Sequence, residues 1–214
     1  MGDSGYRERY GSVVHVPEMA AVIADAGLGA KPLIVGHSFG GYMAMCYGNR
    51  FGDDVSGMVI VDSPLKPEDA EGDKSERAYI KPKSIFPDFE TIISKYKLMP
   101  VQPCENAFLM DFIARNSVME NEGGWSWKFD VAARGAAHFD EPLVEYLKHL
   151  PCPKALIHGA ESAMLTRETA GYMRTLFKPT DPFVCMPEAH HHLMLQHPLG
   201  FIAVLRSIFS GWGL

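Results

Sequence analysis

Residues 36–41 read Gly-His-Ser-Phe-Gly-Gly, and this short run restricts the fold more than any other part of the chain. The apolar stretch from Lys31 to Val35 leads into it and stops at Gly36, and from Tyr42 to Asn49 the residues Met43, Ala44, Cys46 and Tyr47 follow helical spacing. A strand must therefore turn sharply into a helix, and glycines two residues either side of Ser38 leave room for the reversal. Such a turn lifts the Ser38 hydroxyl above the sheet edge. It also sets the backbone N–H of Phe39 at a helix start, where the dipole favours a developing negative charge. Side chains diverge at such a turn, so His37 reads as structural.

Three more strand-length apolar runs follow: Val55 to Val61, Ala155 to His158 and Phe183 to Met186. Helical patterns occupy Pro17 to Leu28, Arg167 to Phe177 and Pro198 to Phe209, with Pro17 read as a first-turn residue and Gly27 and Gly29 as the end of the first helix. Buried strands alternating with helices predict an α/β fold, a mostly parallel sheet covered on both faces. Leu65 to about Leu150 breaks the rhythm. It opens on the charged stretch from Lys66 to Lys74, then carries amphipathic pieces at Phe89 to Tyr96, Ala107 to Arg115 and Glu141 to His149, with Trp125 and Trp127 among its aromatics. An insertion this patterned reads as a lid, which gives a core of 1–64 and 151–214 and a helical cap of 65–150. Trp125 and Trp127 are candidate substrate contacts, although aromatics at such spacing also serve as core.

The 214 residues are 47% hydrophobic and 21% charged, enough for one sizeable core. A net charge of -6 without any like-charge block gives nothing to attract nucleic acid or an anionic membrane. No apolar run approaches the roughly 20 residues needed to span a bilayer, and the first ten residues lack the apolar stretch of an export signal. Cys46, Cys104, Cys152 and Cys185 are widely spaced and read as buried free thiols, which points to a cytoplasmic location.

Serine needs a positioned imidazole to become a nucleophile. The last strand run leads into Glu188-Ala189-His190-His191-His192 and ends its loop at Pro198. Three adjacent loop histidines cannot all face one ion, and no Cys or carboxylate cluster accompanies them, so neither a metal nor a cofactor is expected.

Over nearly its whole length the chain resembles the α/β-hydrolase family. Its tail is similar to that family's histidine loop, and the distance back from Pro198 selects His191, with His190 or His192 as fallback. Gly2-Asp3-Ser4-Gly5 resembles the family's loop after the fourth strand, and Asp62-Ser63-Pro64 the end of its sixth. Members usually carry an aspartate three or four residues past a glycine after the seventh strand, yet Gly159 is followed there by Ser162 and Ala163. Two carboxylates remain, Asp62 and Glu161, with Asp62 preferred; Asp62 could also simply cap a turn before Pro64.

What the resemblance implies is a serine hydrolase acting on an ester or similar small acyl substrate through Ser38, His191 and an acid, with Phe39 N–H in the oxyanion site. It also implies about four earlier strands, one of which supplies a second oxyanion donor worth on the order of 3 kcal/mol. The expectation is therefore an N-terminally truncated fold with impaired activity and an unpaired sheet edge that favours homo-oligomers. The alternative is a non-catalytic fragment or binding module.

Overall fold

The structure, a computed structural model, describes residues 2–8, 10–28, 31–67, 83–133 and 141–214. Gly29 and the charged stretch from residue 68 onward lie outside the described residues. The chain divides into two compact units, one of residues 11–72 and 139–214, the other of residues 1–10 and 73–138.

The larger unit is built on four parallel strands, β1 (Leu33–His37), β2 (Gly57–Val61), β5 (Lys154–Gly159) and β6 (Phe183–Met186), in the order β1-β2-β5-β6. Their register sets Val35 beside Val59, Ile60 beside Leu156 and Ile157 beside Val184. β2 and β5 are buried along their whole length, as central parallel strands covered on both faces must be. Successive side chains on a strand face opposite ways. Met58, Ile60 and Leu156 therefore join one cluster with helices α1 (Ser12–Asp25), α2 (Phe39–Phe51), α5 (Leu143–Lys148) and α6 (Arg167–Arg174). Val59, Val61, Ala155 and Ile157 join the other, against α7 (Leu193–Gln196) and α8 (Pro198–Gly211). This is the α/β architecture expected from the alternating pattern.

Several local expectations change. β1 and β6 are edges rather than buried strands, which leaves Leu33 and Val35 36% and 42% exposed and Cys185 on the surface. Cys104 is half-buried, so Cys46 and Cys152 alone match the buried-thiol reading. α1 starts at Ser12, five residues before Pro17, and carries that proline in its interior. An interior proline costs about 3 kcal/mol. The burial of Val16, with Met19, Ala20 and Ile23 packed beside it on the same helical face, offsets that cost.

The smaller unit holds α3 (Phe89–Ile93), α4 (Ala107–Asn116) and an antiparallel hairpin of β3 (Val118–Asn121) and β4 (Gly124–Trp127). Asp88 caps α3 by accepting the N–H of Thr91 at 2.8 Å, and Asn106 caps α4 through Leu109 N–H at 3.2 Å. Residues 2–10 group with this unit because Tyr6 donates to the Lys128 carbonyl and Tyr10 to Asp130. At the other end Leu143 and Leu147 are buried in the core of the larger unit, with which residues 141–150 group. Among the described residues no helix is long and apolar enough to cross a membrane.

Candidate active site

Ser38 sits between β1 and α2 with φ 53° and ψ -120°, a backbone conformation that costs an L-residue energy and persists only where its surroundings hold it. Three bonds do so. Its N–H donates to the Val61 carbonyl at 2.9 Å, and its own carbonyl accepts the N–H of Gly41 at 2.9 Å and the hydroxyl of Ser63 at 2.8 Å. The turn is closed enough that a Cβ on Gly36 would stand 2.7 Å from the carbonyl carbon of Gly40. The second glycine demanded by space is Gly41, where a Cβ would lie 2.8 Å from the Cβ of Ser63 and closer still to its hydroxyl; Gly40 has open space. Phe39 is the first residue of α2, at the positive end of its dipole.

The elbow is therefore stitched to the end of β2, and Asp62 is the next residue of that strand's exit. Its N–H donates to Ile157 O at 2.9 Å, and it too has a positive φ, 46°. The side chain is fully buried. Oδ2 accepts the N–H of Gly159 at 2.9 Å, while Oδ1 accepts both the Ser162 hydroxyl at 2.6 Å and Nδ1–H of His191 at 2.8 Å. A carboxylate accepts but does not donate, so this contact assigns a proton to Nδ1, and in the neutral ring that tautomer puts the lone pair on Nε2. His191 is 2% exposed.

The remaining candidates are used differently. Glu161, the alternative acid, pairs with Nε2 of His190 at 3.3 Å and not with His191. His190 is further held by Gln196, whose side-chain oxygen accepts its N–H at 2.7 Å. The ring of His192 lies 4.9 Å from that of His191 and 5.2 Å from that of His37. His37 donates Nε2–H to the main-chain carbonyl of His191 at 2.9 Å. Burial, reinforced by the neighbouring His191, lowers its pKa to about 4, so it stays a neutral donor at neutral pH. Trp125 and Trp127 lie on β4 within the smaller unit, paired with Phe89 and Tyr96 at ring separations of 4.9 and 5.8 Å. Among the described residues no group of three or more His, Cys, Asp or Glu side chains is placed to hold a metal ion.

Sequence reasoning missed the supporting residues Ser63, Ser162 and Gly41. A signal existed for Ser162: a hydroxyl at the position where the resemblance expects a carboxylate can donate to a carboxylate brought from elsewhere.

The sequence profile of the alpha/beta hydrolase family matches residues 2–204. No curated protein sequence matches this one. Among solved structures, E-2-(acetamidomethylene)succinate hydrolase superposes with a TM-score of 0.80 at 20% identity, over 98% of this chain and 78% of that one. The thioesterase domain from the curacin biosynthetic pathway gives 0.74 at 20% identity, over 95% and 77%. An esterase from Thermogutta terrifontis gives 0.69 at 19% identity, over 98% and 75%. At these identities the structural likenesses speak for the fold, and the sequence profile carries the assignment: the chain belongs to the alpha/beta hydrolase family.

Proposed function

We propose that the protein is a serine hydrolase of esters or similar small acyl compounds. The observation that carries this reading is the buried bond of 2.8 Å between His191 Nδ1 and Asp62 Oδ1, at the end of the strand to which the Ser38 elbow is hydrogen-bonded. In this reading Ser38 Oγ attacks the substrate carbonyl carbon as Nε2 of His191 takes its proton. The carbonyl oxygen becomes an oxyanion stabilised by the Phe39 amide and the α2 dipole. Collapse breaks the bond to the leaving alcohol, which receives the proton from Nε2 and leaves an acyl group on Ser38. Water then attacks that acyl carbon, giving its proton to Nε2, and the acid departs as the proton returns to Ser38. Asp62 remains a carboxylate throughout and orients the imidazole.

The cycle needs no metal or redox cofactor. Family membership supports hydrolysis, and the esterase and thioesterase among the structural relatives favour acyl substrates. Labelling with a fluorophosphonate probe tests the reading. Modification of the wild type at Ser38, lost in Ser38→Ala, is the expected result; an unlabelled wild type that hydrolyses no p-nitrophenyl ester would point instead to a non-catalytic module.

A further inference from the structure

Asp62 is supplied by the exit of β2, while the last residue of β5, the next strand in the sheet, and the loop that follows it each supply a donor that it accepts. The Ser162 hydroxyl has a defined hydrogen-bond direction. Its oxygen accepts the backbone N–H groups of Met164 at 3.2 Å and Leu165 at 3.1 Å, which engage its two acceptor sites. Its single proton is thereby directed to Asp62 Oδ1, 2.6 Å away. Ser162 is itself buried, so water does not compete for that proton.

A buried carboxylate free to turn about its Cβ–Cγ bond could offer His191 either oxygen or the wrong lone pair. Gly159 N–H holds Oδ2 at 2.9 Å, and Ser162 holds Oδ1 on the side that meets Nδ1 of His191. We infer that Ser162 is a positioning residue: its hydroxyl locks the rotation of the Asp62 carboxylate so that Oδ1 faces His191, and it reaches the chemistry through Asp62 without touching substrate. This inference rests on the catalytic reading of Ser38, His191 and Asp62 given above.

The role differs from mere packing in what it controls. A residue that only fills space affects stability; one that aims the acid affects the step in which His191 accepts and returns a proton. Substrate affinity should not respond, because the Ser162 hydroxyl is buried and engaged by Asp62 and the N–H groups of Met164 and Leu165.

The test compares wild type with Ser162→Ala, Ser162→Thr, Asp62→Asn and Ser38→Ala, using p-nitrophenyl acetate turnover and the rate of fluorophosphonate labelling. A downfield proton spectrum of the resting proteins reads the His191 Nδ1–H directly, without substrate. A hydrogen bond to a charged partner is worth enough that Ser162→Ala should lower kcat and the labelling rate about tenfold, with KM within about twofold of wild type. Ser162→Thr, which keeps the hydroxyl, should restore most of the rate, and the Nδ1 proton resonance should move in Ser162→Ala but not in Ser162→Thr. The inference is overturned if Ser162→Ala keeps the wild-type kcat and proton resonance while Asp62→Asn and Ser38→Ala abolish turnover. If Ser38→Ala and Asp62→Asn leave turnover intact, the catalytic reading itself fails and the role of Ser162 falls with it. Loss of fold in Ser162→Ala, seen by circular dichroism, transfers the decision to Ser162→Thr, whose failure to sustain turnover while folded would equally refute the role of the hydroxyl.

Discussion

His37 donates its Nε2 proton to the main-chain oxygen of His191 at 2.9 Å, and the two rings lie 4.6 Å apart. The residue preceding the Ser38 elbow thus holds the backbone of the histidine loop through a proton that the neutral and the protonated ring both carry; burial beside His191 is what disfavours the protonated form. With a folded pKa near 4 against an ordinary 6.5, the unfolded chain takes up a proton here before the folded one as pH falls. The resulting stability is complete above about pH 6.5 and is lost as pH drops toward 4, by at most on the order of 3 kcal/mol. Urea unfolding at pH 7.5 and pH 5 should show the loss in wild type and a smaller one in His37→Gln; equal slopes in the two proteins would remove His37 as the cause.

Asp62 and Glu161 make opposite predictions. Asp62→Asn should lower kcat by about 10³- to 10⁴-fold, since an amide at that position cannot enforce the tautomer of His191. Glu161→Gln should stay within about threefold of wild type, because its partner is His190. Steady-state kinetics on the same ester compares the two directly. Adding Asp62→Asn to Ser38→Ala should cost little further, since residues acting as one unit are not additive.

The two glycines after Ser38 should behave differently. Gly41→Ala places a methyl against Ser63, whose hydroxyl bonds the Ser38 carbonyl at 2.8 Å. Overpacking of this kind costs about 1–3 kcal/mol and should also depress the labelling rate at Ser38. Gly40→Ala meets open space within α2 and should be neutral or stabilising by up to about 1 kcal/mol. Thermal melts of both variants, run beside labelling, separate the two effects.

The acid should tolerate relocation. Ser162 Oγ approaches the same Oδ1 atom that meets His191, at 2.6 Å, so a carboxylate at position 162 lies within reach of that ring. The double variant Asp62→Asn with Ser162→Asp should recover at least about tenfold in kcat over Asp62→Asn alone. No recovery in a double variant that melts like wild type would show that the loop after β5 cannot present an acid to His191.

Local pattern was enough for the elements that border the site. Gly36 to Gly41 between an apolar strand and a helix marked the Ser38 elbow, and three further apolar runs marked β2, β5 and β6 to within two residues. The hairpin β3–β4 escaped because its strands are four residues each, too short for a periodicity to show, although Gly123 at φ 87° marks its turn. The start of α1 escaped because Pro17 suggests a first turn locally, while the packing of Val16, Met19, Ala20 and Ile23 is a tertiary gain.

What the sequence determined by itself was the set of chemical parts and their order: an elbow serine, a late histidine loop, and two carboxylates eligible to serve it. Spacing and periodicity are near-neighbour properties, and they encode strands, turns and helices. Which carboxylate meets His191 was decided by tertiary structure, because Asp62 and His191 stand 129 positions apart and come together only once parallel pairing sets β5 between β2 and β6 and the loops align at one end of the sheet. The pairing of β2 with β5 brings Ser162 to Asp62, a contact that spacing and periodicity do not encode since it depends on strand order, which burial of both sheet faces selects.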